Sequence, residues 1–131
     1  MIDTNAAVRT LLLQSVPLTA LVGTRIYCPS LPAGYEPAAP ALSYSCRGGQ
    51  TEDYVPILRP SYQFSAWGKT LPSARAVFRA MHDHLLGEEN LDLGSGVYFI
   101  GAHEEVHGQD RLDPDTGWFY VLAFYELIFR K

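Results

Sequence analysis

The hydrophobic positions of the chain recur with two periods, one typical of helices and one typical of strands. Apolar residues three and four apart predict a first helix over 5–14 and a short second helix over 17–22. The same spacing predicts a third helix from Ser73 to Leu86. We expect its apolar stripe to face the core, and the stripe comprises Ala74, Val77, Phe78, Met81 and Leu85.

Alternating or continuous apolar runs predict five strands between turn-forming segments. The predicted strands are 25–27, 41–47, 56–67, 96–107 and 118–130. Proline, glycine and acidic residues predict loops or turns at 28–40, 48–50, 87–96 and 108–117. The last strand is apolar at both its odd and its even positions, so both of its faces must be covered. Helices can cover one face, and we expect another subunit to cover the second.

This order of elements predicts an α+β fold. We expect a mostly antiparallel sheet of four to five strands with the helices packed on one face. The length of 131 residues fits one domain, spanning 1–131. Within it, 47–60 is predicted to form an extended hairpin arm, made polar by Gly48, Gly49, Glu52 and Asp53. The sequence contains no window of about 18 uncharged apolar residues, so no membrane span is predicted.

The charges are unevenly distributed along the chain. The formal net charge is -4, but nine of the 14 acids and only one base, Arg111, lie between Asp83 and Asp115. This pattern indicates either a solvated acidic face or a surface that repels polyanions or meets a basic partner. It argues against a DNA-gripping protein, which would concentrate lysine and arginine against phosphate.

One segment has the spacing of a metalloprotease signature. The residues from His103 to His107 read H-E-x-x-H, which binds zinc when a helix places both imidazoles on one side. Here the segment continues a predicted strand, where the two histidines would lie roughly 13 Å apart. A zinc-dependent hydrolase using His103, Glu104 and His107 is therefore the lesser alternative, and no metal or cofactor is predicted.

Cys28 and Cys46 are expected to be reduced and partly buried.

The layout of the whole chain resembles a known family. A short helix leads into LTALVGTRIY at 18–27, a proline-rich loop leads into PALSY at 40–44, and YQFSAWG at 62–68 precedes the helix at 73–86. A DPDTG turn at 113–117 and a long strand close the pattern. This layout is similar to that of the tail-completion, or tail-terminator, proteins of long-tailed bacteriophages and gene-transfer particles.

The resemblance implies a structural role without catalytic residues. Such proteins form a ring, typically of six subunits, that ends the tail tube at its head-proximal side and offers a docking surface to the head connector. DNA passes through the lumen without sequence-specific binding. The implied partners are sister copies, the tail-tube protein and a connector or stopper, with no membrane. The implied location is the tail or neck of a virion that is assembled in the bacterial cytoplasm.

Candidate interface residues follow from the charge pattern and the last strand. The acidic candidates between 104 and 115 are expected to line a lumen or a docking face. The aromatic and apolar candidates of the last strand are expected at a contact between subunits. The two acids of the predicted arm are expected to reach a neighbouring subunit. The candidates are Glu104, Glu105, Asp110, Asp113, Asp115, Trp118, Tyr120, Leu122, Phe124, Glu52 and Asp53. Besides the zinc-dependent hydrolase, two alternatives stay open, namely another neck component such as a head–tail adaptor or stopper, and a monomeric ligand-binding domain.

Overall fold

Polar side chains set the starting points of the helices. In the computed structural model, which describes residues 2–33, 35, 39–51 (backbone only at Thr51) and 56–131, the side chain of Asp3 caps α1 by accepting from the N–H of Ala6. Ser15 and Thr70 cap α2 and α3 in the same way. The helices are α1 (Thr4–Leu13), α2 (Val16–Val22) and α3 (Leu71–Gly87).

The strands of the described ranges form one sheet. They are β1 (Ile26–Tyr27), β2 (Ala41–Thr51), β3 (Ile57–Gly68), β4 (Leu91–Gly94), β5 (Val97–Leu112) and β6 (Phe119–Arg130). Their spatial order is β1-β2-β3-β6-β5-β4. The strand β1 runs parallel to β2, and every other neighbouring pair is antiparallel. The α+β class is confirmed, but the sheet is mixed and has six strands, where four to five mostly antiparallel strands were expected.

The extra strand lies in a segment that was predicted to be a loop. Between 87 and 96 the sequence is polar, yet Leu91 and Leu93 alternate toward the core and form β4. The chain reverses into β5 through Gly94, Ser95 and Gly96, all at positive φ. Backbone conformations of this kind allow a tight reversal, so the glycines mark a hairpin turn between two strands instead of an open connector.

Two further strands extend beyond their predicted ends. The strand β2 passes through Gly48 and Gly49, which were predicted to form a turn, because a register shift between Cys46 and Gly49 accommodates them at positive φ. Likewise β5 continues to Leu112 through the predicted loop at 108–117, with register shifts along its pairing to β6. Both predicted strand ends were wrong for the same reason. A β-bulge accommodates a glycine within a strand, so the strand continues past it.

All three helices pack on one face of the sheet. The predicted stripe of α3 is buried, as are Ala7, Val8, Leu11 and Leu12 of α1. On β6 the odd positions from Val121 to Phe129 are buried and form its core face. No single described helix is long and apolar enough to cross a membrane, and α1 with α2 meets that test only as a pair bent by 92°.

None of the described helices covers the other face of the sheet. The even positions of β6 from Tyr120 to Ile128 are only partly buried there. The expectation that the last strand is apolar on two sides is confirmed, and within one chain only one of those sides is fully covered.

Candidate functional site

The H-E-x-x-H residues are divided between the two faces of β5. His103 pairs in register with Glu126 on the open face of the sheet, whereas Glu104 pairs with Tyr125 on the helix side. A register shift between Glu104 and Val106 then returns His107 to the helix side, where its Nδ1 lies 2.8 Å from Glu104 Oε1. The two histidines therefore do not converge on one point, as predicted for a strand. Across the described residues, no group of three or more His, Cys, Asp or Glu side chains is arranged to hold a metal ion.

Glu104 instead joins a cluster that the sequence alone did not reveal. Its Oε2 lies 2.9 Å from His82 Nδ1 on α3 and 3.4 Å from the hydroxyl of Tyr125 on β6. The hydroxyl of Tyr125 is also 2.7 Å from His82 Nδ1. We call His82, Glu104, His107 and Tyr125 the histidine–glutamate cluster. Its members come from three elements, so no spacing along the chain could have indicated it.

The cluster ties α3 to the sheet and changes the chemistry of one tyrosine. Burial of Tyr125, followed by the negative charge of nearby Glu104, raises the pKa of the phenol well above its usual value. The Phe78 ring packs edge-on against His107, with 5.6 Å between ring centroids. Because His82, Glu104 and Tyr125 bond to one another, the cluster is a polar contact between the helix layer and the sheet, with the exposed His107 at its edge.

The open face of the sheet carries a group of aromatic and arginine side chains. Trp67 stacks on Tyr120 with 4.5 Å between ring centroids. The guanidinium of Arg47 lies 4.2 Å from the ring centroid of Phe124, and that of Arg130 lies 4.5 Å from the ring centroid of Tyr98. We call this group the arginine–aromatic face, and by strand register it comprises Arg47, Arg59, Trp67, Tyr98, Arg111, Tyr120, Leu122, Phe124, Ile128 and Arg130.

Two of its four arginines have acidic partners within the chain. Arg47 lies 3.8 Å from Glu105, and Arg59 lies 3.7 Å from Glu126. Glu105 also accepts from the Ser61 hydroxyl at 2.5 Å. Arg111 and Arg130 are exposed and have no acidic partner among the described residues. The Nε of Arg59 is buried, and none of the described atoms accepts its hydrogen.

The predicted acidic candidates do not form one surface. Glu104 and Glu105 lie on opposite faces of the sheet, as their contacts with His82 and Arg47 show. Asp110 is paired with Arg75 at 2.7 Å, and Asp113 organises the β5–β6 turn by accepting from the N–H of Asp115. Glu52 and Asp53 lie outside the described residues.

The apolar candidates lie closer together. Tyr120, Leu122 and Phe124 share the arginine–aromatic face, and Trp118 precedes β6 at its end of the sheet. At the base of the predicted arm, Leu58 of β3 pairs with Thr51 on one side and with Phe129 of β6 on the other. The base of that hairpin is therefore part of the sheet, and its tip lies outside the described residues.

The two cysteines differ from expectation. Cys28 and Cys46 are free thiols, as predicted, but both are exposed and not partly buried. The residual desolvation of Cys28, with the nearby Asp3 and Cys46, raises the pKa of its thiol, which disfavours the nucleophilic thiolate.

The fold is shared with a component of a virus-like particle. A chain in a solved structure titled "Virion of native gene transfer agent (GTA) particle" matches with a TM-score of 0.69 and 21% sequence identity. The match covers 96% of this chain and 93% of that chain. No protein-family model matches the sequence, and no curated protein does.

Proposed function

We propose that this chain is a structural virion protein that forms a ring at the head-proximal end of a tail tube. In this role it ends polymerisation of the tube and joins the tail to the head connector. The observation that carries the proposal is the match to a chain of a gene-transfer-agent virion, because it extends over nearly the full length of both chains. The family resemblance of the sequence supports the finer assignment to tail termination.

The open sheet face supports the assembly part of this proposal. Its half-buried tryptophan, tyrosine and phenylalanine side chains, and the arginines among them, are residue types enriched in the cores of protein interfaces. A ring closes when one patch of each subunit contacts a different patch of the next. The partners proposed for the two ends of the ring are the tail-tube protein and a connector or stopper.

The acidic turn between β5 and β6 fits a passage for DNA. Neither Asp113 nor Asp115 forms an ion pair with a described residue, and Asp115 is exposed at the turn. Carboxylates facing a lumen would repel the phosphate backbone and keep passing DNA from adhering. We propose these two residues as the lumen or docking-face members of the acidic candidates.

A catalytic function has less support. A zinc hydrolase requires His103 and His107 to share one ion with Glu104 beside it, but His103 lies on the other face of β5. The side chain of Glu104 is already shared by His82, His107 and Tyr125. We therefore propose a structural protein and not an enzyme.

The proposal is tested by removing the subunit from the particle that contains it. We expect tails of uncontrolled length that fail to join heads, because nothing would stop tube growth, and wild-type chain supplied separately should restore joined particles. Electron microscopy of the wild-type particle should locate the subunit in a ring between capsid and tail.

Other results would contradict the tail-terminator assignment in distinct ways. Tails of normal length that accumulate beside unjoined heads would identify an adaptor or stopper instead. A subunit located in the capsid shell or at the distal tail tip would reject a neck function altogether.

A further inference from the structure

The two cysteines of the chain lie on neighbouring strands at one edge of the sheet. Cys28 directly follows β1, and Cys46 lies on β2, the strand that pairs with β1. Both are free and exposed. The last aligned pair of the two strands is Tyr27 with Ser43. Cys28 therefore comes beside Tyr44, and Cys46 is only two residues further along β2.

Both cysteines also belong to the helix side of the sheet. Alternate residues of a strand share a face, so Cys28 continues the face of the buried Ile26. Cys46 likewise shares the face of the buried Leu42 and Tyr44. Diagonal neighbours on adjacent strands have Cα atoms about 7–8 Å apart, and a disulfide requires less than about 7 Å. Because Cys28 is exposed and lies beyond the end of β1, a shift of about 1 Å there closes the gap without moving a core residue.

The electrostatic surroundings of the thiols agree with this placement. Partial burial raises the pKa of the Cys28 thiol, and the nearby Asp3 and Cys46 add to the rise. Burial also raises the pKa of the Tyr62 phenol to about 12, and both thiols contribute to that rise. Groups that act on each other and on one phenol lie near a common point. The two thiols are therefore neighbours in space as well as in strand register.

We propose that Cys28 and Cys46 form a reversible disulfide when the protein meets an oxidising environment. The oxidant is a low-molecular-weight disulfide such as oxidised glutathione. The thiolate of one cysteine attacks a sulfur of the oxidant, which forms a mixed disulfide and releases one thiol. The thiolate of the other cysteine then attacks the first cysteine's sulfur and releases the second thiol. Two cysteine thiols are thereby oxidised, the oxidant is reduced, and the two cysteine protons pass to the departing thiolates.

This bond would fasten the end of β1 to β2. It would also restrict the unfolded chain between the two cysteines, which favours the folded state. Its timing rests on the proposed function, because a virion is assembled in a reducing cytoplasm and is then released into an oxidising medium. The formation of the bond depends only on the fold.

The test equilibrates the full purified chain with defined ratios of oxidised and reduced glutathione. The remaining thiols are alkylated, and mass spectrometry of proteolytic peptides identifies the bond. We expect a monomeric chain that has lost two hydrogen atoms and in which the peptides of Cys28 and Cys46 are linked. Cys28→Ser and Cys46→Ser are the matched controls, and each should stop at a mixed disulfide with one glutathione.

A comparison of the folded and the unfolded chain gives the decisive measurement. Because the fold holds the two thiols near one another, the equilibrium constant for the bond should be at least about tenfold larger in the native chain than in the chain unfolded by urea. By linkage, the oxidised chain should then unfold at a higher urea concentration than the reduced chain. The two serine variants should unfold at the same urea concentration with and without the oxidant.

Several results would overturn the inference. They are a wild-type chain that carries two glutathiones, a bond that forms only between two chains, and an equilibrium constant that is no larger in the folded chain than in the unfolded one. The proposed function is judged separately, by where the subunit lies in the particle. Its failure would remove the timing and leave the disulfide, whereas any of the three results removes the disulfide whatever the function.

Discussion

At the scale of single residues, Glu104 is the side chain with the most consequential surroundings. It accepts from groups on α3, β5 and β6, and its side chain is only 23% exposed. Its neighbour Glu105 points to the opposite face and lies 3.8 Å from Arg47. Two adjacent carboxylates thus have different structural roles, one joining two layers and one balancing a surface charge.

Replacing Glu104 by glutamine should lower the free energy of unfolding by about 1–3 kcal/mol. The neutral amide is a weaker acceptor than the carboxylate, and only one of its two terminal atoms can accept, so it cannot reproduce the contacts with His82, Tyr125 and His107 together. Urea unfolding followed by tryptophan fluorescence measures the loss. The control is Glu105→Gln, for which we expect less than about 1 kcal/mol, as for partly exposed ion pairs. Equal losses in the two variants would contradict the proposed role of the cluster.

Most of the elements could be predicted from the sequence because their apolar periods are uninterrupted. The buried stripe of α3 was predicted correctly, and so was the apolar character of β6 at both its odd and its even positions. The errors fall where glycines interrupt a strand pattern, at Gly48, Gly94 and Gly108. Glycine signals a turn and a bulge equally well in a sequence, and only the pairing of neighbouring strands distinguishes them.

The functional surfaces were less predictable for a different reason. Arg47 of β2 meets Phe124 of β6 and Glu105 of β5, which both lie far along the chain from it. Strand order determines such meetings, and local periodicity carries no information about strand order. The apolar even positions of β6 were foreseen, whereas the arginines that lie among them were not.

At the scale of elements, Gly108 determines how closely β5 approaches α3. A Cβ built at this position would lie 2.6 Å from Val121 Cγ1 and 2.8 Å from Phe78 Cζ. Both contacts are too short, and both atoms belong to buried side chains of the core. The strand can lie against the helix here only because this residue has no side chain.

Gly108→Ala should therefore destabilise the protein by about 1–3 kcal/mol through overpacking. Thermal unfolding followed by circular dichroism provides the measurement. Gly101→Ala is the matched control on the same strand, because a Cβ there meets nothing within 4 Å. The interpretation fails if the two alanine variants unfold at the same temperature.

At the scale of the whole molecule, buried phenols make stability depend on alkaline pH. Burial raises the pKa of Tyr62 to about 12, against an ordinary value of 10.0, and raises the pKa of Tyr44 and Tyr125 further. The folded state therefore holds protons that the unfolded chain releases. Their contribution to stability is complete below the ordinary value and is lost as pH rises through the folded values.

We expect the free energy of unfolding to fall steadily once pH exceeds about 10. Urea titrations at a series of pH values measure the slope, and tyrosinate absorbance follows ionisation directly. Tyr62→Phe should be less stable near neutral pH by about 1 kcal/mol, since its hydroxyl lies 2.7 Å from Asn5 Oδ1. In the alkaline range, the free energy of unfolding of this variant should fall less steeply with pH, by the contribution of one proton. An unchanged slope, or stability independent of pH, would contradict this account.

The position of β6 has a consequence for how the molecule is made. It lies between β3 and β5, and it provides the hydrogen-bonded ladder between β1-β2-β3 and β5-β4. During synthesis the other described strands emerge first, and the two parts of the sheet remain without this connecting strand until 119–130 leave the ribosome. Productive folding must therefore wait for translation of the final strand, and a nascent chain stalled before residue 119 should be sensitive to protease throughout.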